Sequence, residues 1–157
     1  MSKSTASLDQ ALERIYARTA AGIRPGLDAI RAILEVLEHP EQRFLVIHIA
    51  GTNGKGSCVA ILDSIYLEAG YRVGAFTSPH LWKFNERLRV DGQDTSDDEL
   101  GAIFSAIDAA RGGVTLTYFE FSAVAAIAEF ARQGVQLAIF EVGLGGRLDA
   151  VNALDPD

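Results

Sequence analysis

The stretch "HIAGTNGKGSCVA", His48 to Ala60, sets a lysine between two glycines with a hydroxyl just behind it. That combination suits phosphate. Gly51, Gly54 and Gly56 let the backbone curl so that successive N–H groups point inward. Thr52 and Asn53 complete the turn, and a helix behind it would add free N–H groups and its positive end. Lys55 would place a full charge on the β- and γ-phosphates. The spacing departs from the usual G-x-x-x-x-G-K-[ST] pattern. Five residues before Gly54 stands Ile49, and Gly56 follows Lys55, so the hydroxyl waits until Ser57. A residue two positions on lies about 200° around a helix, against about 100° for one. Ser57 is therefore expected to bond a phosphate, and other groups must help hold Mg²⁺.

Glu141 is the first of these. It interrupts the apolar run "LAIFEVG" at the carboxyl end of a predicted strand. A lone buried carboxylate is costly unless it is paired or bound to metal. Beside a phosphate loop, a metal-facing acid is a better reading than a strand end that has reached solvent. "TSPHLWKFNERLRV" offers Ser78, His80, Trp82, Arg87 and Arg89. These types fit an ordinary charged surface loop, and equally a lid that gives a hydroxyl to metal and arginines or aromatics to an anionic, planar ligand. His48 reads as a satisfied core histidine, Cys58 as a small buried residue, and the acids from Asp91 to Glu99 as a solvated turn and helix start. No N-K-x-D stretch occurs, so adenine is favoured over guanine. Kinase, ATPase and ATP-driven ligase chemistry all stay open on these residues.

The elements that must position these groups alternate. Ser7 to Gln10 is a capping box that starts a helix, with Leu8, Leu12, Ile15 and Tyr16 on one face and Gly22 at its end. A second helix carries Leu27, Ile30, Leu34 and Leu37 and stops near His39-Pro40. "RFLVIHIA" reads as a buried strand, and the glycine stretch follows it directly. A helix then presents Val59, Leu62, Ile65 and Tyr66 on one side and closes at Gly70. "YRVGAFT" is a strand. Residues 77–93 show no clear period and form a long excursion. Capping boxes at Ser96–Glu99 and Thr117–Glu120 open two more helices, the second apolar on most faces. "QLAIFEV" is the last strand, and "GLGGRLDAVN" leaves it as a loop. Strands separated by helices imply an α/β fold with a parallel sheet flanked by helices and ligands at the carboxyl ends of its strands.

The 157 residues suffice for one domain with a core. An apolar fraction of 48% and a charged fraction of 22% are ordinary for a globular protein. The net charge of -7 argues against non-specific nucleic-acid binding. No apolar run has membrane-spanning length, and "MSKSTASLDQ" lacks the apolar core of a signal peptide. With Cys58 as the single cysteine, no internal disulfide forms, and a cytoplasmic setting is expected.

Four motifs in order, "HIAGTNGKGS", "TSPHL" with "FNER", "TYFEFSA" and "EVGLGGRLDA" with Asn152, cover most of residues 45–152. Together they resemble folylpolyglutamate synthase/dihydrofolate synthase of the Mur ligase superfamily, whose phosphate loop has the same shifted form. The resemblance implies ATP-dependent ligation of L-glutamate to dihydropteroate or a folate through an acyl phosphate, with ATP and Mg²⁺ as cofactors and a cytoplasmic, monomeric parent. Gly51, Thr52, Asn53, Gly54, Lys55, Gly56 and Ser57 would hold the triphosphate, and Lys55 and Glu141 would be the catalytic groups. Ser78 and Glu141 would bind a metal that bridges phosphate and substrate carboxylate. Phe119 would stack on the pterin, with Asp149 and Ala150 lining its pocket. Arg87 comes over as part of its motif, without a role. Family members are far longer and carry a second, C-terminal domain, together with a metal-binding histidine and a modified lysine after this region. By that comparison residues 1–157 are the amino-terminal part of an incomplete ATPase domain, with an open sheet edge. An ATP-binding fragment without turnover is one alternative. Another Mur-superfamily amide ligase is the other, and "TYFEFSA" and "TSPHL" speak against it.

Overall fold

The structure, a computed structural model, describes residues 8–17 and 26–157. The chain runs α1 (Leu8–Ala17), α2 (Asp28–Val36), β1 (Leu45–Ile49), α3 (Lys55–Glu68), β2 (Val73–Phe76), β3 (Leu88–Val90), β4 (Gln93–Asp94), α4 (Asp97–Ala110), α5 (Tyr118–Gln133) and β5 (Leu137–Glu141). Short 3₁₀ segments lie at Pro40–Arg43, Phe84–Arg87 and Ala150–Ala153. The expected capping box at Ser7 and stop at Gly22 fall outside the described residues.

The sheet order is β1-β5-β2-β3-β4. β5 pairs parallel to β1 on one side and to β2 on the other. All five of its residues are buried, as two flanking strands and two covered faces require. Side chains alternate across it. Leu137 and Ile139 join Val59, Val73 and Ala75 under α3. Ala138 and Phe140 face the larger core, built with Phe121, Ile127 and Phe130 of α5 and with Leu100, Ile103 and Phe104 of α4. At Gly74 a Cβ would lie 2.8 Å from the Phe130 ring, so only glycine lets α5 sit this close to β2. The capping boxes form as expected. Thr117 accepts from the Glu120 N–H and Glu120 from the Thr117 N–H, and Ser96 and Glu99 exchange the same pair.

Several expectations need correction. The sheet is mixed: β3 pairs antiparallel to β2, and β4 to β3. The segment 77–93 is thus not a structureless excursion. Asp91 and Gly92 both take positive φ, 50° and 74°, which closes a two-residue hairpin. "RFLVIHIA" is not buried throughout, because β1 is an edge strand and only Val46 of its five residues is buried. The backbone of Val46 meets Asp157 instead of another strand, donating to its carboxylate and accepting from its N–H, both at 3.0 Å. On α3, Ile65 is 56% exposed while Asp63 is buried. Cys58 is exposed, not buried. The loop after β5 ends in a 3₁₀ turn at Ala150–Ala153.

Candidate functional site

β1 delivers the phosphate-loop sequence to the level of Glu141, since Ile49 is the register partner of Glu141. Residues 50–54 are exposed and unpaired in any strand. Gly54 caps α3 with φ 72°, a left-handed conformation that disfavours a side chain. Lys55 is the first residue of α3, and its Nζ donates to the Gly51 carbonyl at 3.1 Å, bridging the loop. The first N–H groups of α3 have no partner within the helix. Loop glycines, helix start and lysine are therefore drawn into one cationic, N–H-rich turn. Ser57 lies exposed on its first helical turn. Thr52 and Asn53 occupy the exposed bend between Gly51 and Gly54.

Glu141 ends β5 and is 6% exposed. It points toward this turn: a Cβ on Gly56 would come to 3.9 Å from its Oε2. β2 brings Ser78 from the other side, because Phe76 pairs with Phe140 just before both chains leave the sheet. The Ser78 N–H donates to Glu141 Oε2 at 3.1 Å. Among the described residues, no donor is bonded to Oε1. A buried carboxylate held by one neutral hydrogen bond calls for a cation.

Behind Ser78 opens a cavity of about 470 Å³. Ser78, Phe119, Asp149 and Ala150 all line it. Phe119 leans on Phe76, with ring centroids 5.8 Å apart. Asp149 is buried, and its two oxygens accept from the N–H groups of Leu144 (2.8 Å) and Val151 (3.0 Å). Sequence reasoning overlooked Tyr118, Gly143, Leu144 and Leu148 as wall residues. All four lie inside the quoted motifs, and Tyr118 and Leu148 stand next to the candidates Phe119 and Asp149, so the signal was adjacency. Gly143 matters through space. A Cβ there would lie 2.6 Å from Phe119 Cζ and 3.1 Å from Asp149 Oδ2. Gly143→Ala is expected to displace the Phe119 ring and weaken binding of a planar ligand in this cavity by ~10-fold or more, about 1.4 kcal/mol or above. Affinity measured by quenching of intrinsic fluorescence, with unfolding temperature as control, checks it.

The remaining candidates separate. Glu86 gathers the N–H groups of Leu81, Trp82 and Lys83 at 2.7–2.8 Å, which leaves Trp82 89% exposed. Those hydrogen bonds, Leu81 first, hold its carboxyl below the usual range. Arg89 turns to the α3 side and pairs with Asp63 at 3.6 Å. Arg87 and Ser78 line the cavity. His48 is not a satisfied core residue: it is half-buried on the edge strand, and its buried Nε2 has no partner. Burial pushes its pKa down.

Among the described residues no helix is long and apolar enough to cross a membrane. No protein-family profile matches the chain. Curated relatives do. The dihydrofolate synthase/folylpolyglutamate synthase of Escherichia coli K12 is 41% identical over 146 residues, 93% of this chain and 34% of that protein. That of Bacillus subtilis is 42% identical over 150 residues, 90% of this chain and 35% of that protein. A crystal structure of a bifunctional folylpolyglutamate synthase/dihydrofolate synthase with Mn, AMPPNP and L-glutamate bound superposes with a TM-score of 0.92 at 38% identity, covering 99% of this chain and 38% of that one. E. coli FolC in complex with DHPP and ADP gives 0.93 at 37% identity, covering 99% and 38%. This chain spans about a third of the length of the curated relatives it matches.

Proposed function

We propose, from the premise that this chain belongs to the folylpolyglutamate synthase/dihydrofolate synthase family, that its protein ligates L-glutamate to dihydropteroate or a folate at the cost of ATP. In this reading residues 1–157 are the amino-terminal part of the ATP-binding domain. The observation that carries it is the Ser78–Glu141 contact, a single wall between the phosphate turn and the apolar cavity. A triphosphate on one side and a planar acceptor on the other would meet there.

Placement supports the following roles. Gly51 to Ser57 cradle the triphosphate, and Lys55 neutralises its terminal charge. Phe119 offers a stacking face in the cavity. Asp149 and Ala150 shape its floor, with the Asp149 carboxylate fixed by two backbone N–H groups. Phosphoryl transfer to a carboxylate oxygen yields ADP and an acyl phosphate. The glutamate amine then attacks the carbonyl carbon, an amide forms, inorganic phosphate leaves, and the amine sheds a proton. The chain's part is positioning and charge neutralisation.

The residues present fit Mg²⁺. Among the described residues no three of His, Cys, Asp and Glu gather into a protein cage. Mg²⁺ needs none, as it keeps waters and uses one or two carboxylates with substrate phosphates. Glu141, buried and short of a cation, with the Ser78 hydroxyl beside it, would hold the ion. When bound, it would neutralise phosphate charge and polarise the accepting carboxylate.

The test incubates the protein with Mg-ATP, L-glutamate and either dihydropteroate or a folate, and looks by mass spectrometry for the acceptor gaining one glutamyl residue. A product formed only with a UDP-linked peptide would replace the assignment with another Mur-superfamily ligase. For residues 1–157 taken by themselves, the phosphate turn and the cavity favour one second reading, binding of Mg-ATP and acceptor without turnover. Binding of both in calorimetry with no amide formed identifies it.

A further inference from the structure

Arg87 is the one buried arginine among the described residues, 6% exposed, and it lines the cavity. Among the described residues it is also the only cation on that wall. Four other arginines find acids: Arg72 meets Asp91, Arg89 meets Asp63, Arg111 meets Asp108, and Arg132 meets Glu99 and Glu129. Among the described residues no carboxylate pairs with Arg87. The acids that line the cavity with it or adjoin it in sequence are committed to backbone N–H groups: Glu120 to Thr117 at 2.7 Å, Asp149 to Leu144 and Val151, and Glu86 to Leu81, Trp82 and Lys83.

What surrounds Arg87 instead is neutral and fixes its plane. Its Nε donates to His80 Nδ1 at 2.8 Å. Its Cζ lies 5.2 Å from the centre of the Tyr118 ring and 5.7 Å from that of Phe84. Because Nδ1 accepts, a neutral His80 carries its proton on Nε2, which faces the Tyr16 hydroxyl at 3.5 Å. Tyr16 stacks on Tyr118, with centroids 4.9 Å apart and planes 18° apart, and their hydroxyls are 3.5 Å apart. A guanidinium oriented in this way, with Nε engaged, keeps its planar pair of Nη groups for a ligand. That fork matches a carboxylate.

We infer that Arg87 is the anion-recognising residue of the cavity, receiving the carboxylate of the acceptor substrate. The inference rests on the reading of the cavity as the acceptor pocket. A buried, unpaired guanidinium is costly in the free protein, and an arriving carboxylate removes that cost. An uncharged analogue leaves it in place. Arg87 would thus select acceptors that carry the carboxylate to be activated.

The experiment titrates dihydropteroate and its carboxamide into the protein and into Arg87→Gln by intrinsic-fluorescence quenching. The unaltered protein is expected to prefer the carboxylate by about 10- to 100-fold, the range for a charge-assisted pair. Arg87→Gln is expected to lose that preference while binding the carboxamide as before. Equal affinity of the unaltered protein for both ligands, or an equal loss of both in the variant, overturns the inference alone. Binding of neither by the unaltered protein overturns the acceptor-pocket reading, and the inference with it. If Arg87→Gln does not fold, Arg87→Lys keeps the charge and the stem, and is expected to retain a carboxylate preference reduced several-fold. A Lys variant that weakens both ligands alike makes Arg87 a structural residue and sinks the proposal.

Discussion

Lys55→Ala is expected to weaken Mg-ATP binding by about 30- to 1,000-fold, with the fold unchanged. The side chain puts a cation at the mouth of the phosphate turn, held over it by the Nζ bond to the Gly51 carbonyl. That bond is exposed and neutral on one side, so the fold gains little from it. When a triphosphate arrives, the ammonium exchanges a carbonyl for an anionic oxygen. Truncating one partner of such a pair costs about 2–4 kcal/mol, which gives the stated range. Stability is not the route of the loss, because Lys55 opens α3 at a half-exposed position and alanine is the best helix former. Calorimetric titration beside circular dichroism checks both halves. Lys55→Arg keeps the charge with different geometry and should fall between the two. An unaltered affinity in Lys55→Ala would mean that the glycine turn is only a strand-to-helix connection.

What could be read before the fold was known, and what could not, divides along physical lines. The glycine turn, Glu141 and the two capping boxes are local devices: strand end, loop and helix start lie within a few residues of each other. The parallel core followed from apolar runs alternating with helices. The β3–β4 hairpin escaped because strands of three and two residues are too short to show a period. The Asp91–Gly92 pair was its available signal and was read as a solvated turn. Burial on β1 and α3 was misjudged for another reason. Whether Leu45 or Cys58 is covered depends on which elements sit beside it, and one-dimensional pattern does not carry that. Asp63 turns inward because Arg89, 26 positions away in the chain, arrives on the hairpin to meet it. Burial raises the Asp63 pKa, with Arg89 opposing. Arg87 and His80 were candidates by type alone. Their contact, and the lack among the described residues of a carboxylate paired with Arg87, exist only once the loop is folded back on Tyr118.

Glu141→Gln should separate metal binding from shape. Glutamine fills the same volume, and its carbonyl can accept from the Ser78 N–H as Oε2 does now. The amide then turns its NH₂ toward the phosphate side, where a donor replaces a charged acceptor. A divalent cation loses its buried anionic partner, and the site loses the charge that makes burial of Glu141 tolerable only with a cation nearby. Affinity for free ATP should hold or improve slightly, since one negative charge near the triphosphate is gone. Its strengthening by Mg²⁺ should fall by ~10-fold or more, and ligation, where the protein performs it, by about 100- to 1,000-fold, the scale for losing one electrostatic group at a reacting centre. Titrating ATP with and without Mg²⁺, and following Mn²⁺ by its paramagnetic resonance, reads the metal term directly. Glu141→Asp provides the complementary case: it keeps the charge but withdraws it by one methylene from Ser78, so metal should still bind, more weakly. If both variants respond to Mg²⁺ as the unaltered protein does, Glu141 is only a buried acid anchoring the Ser78 backbone, and the wall between the two halves of the site is structural.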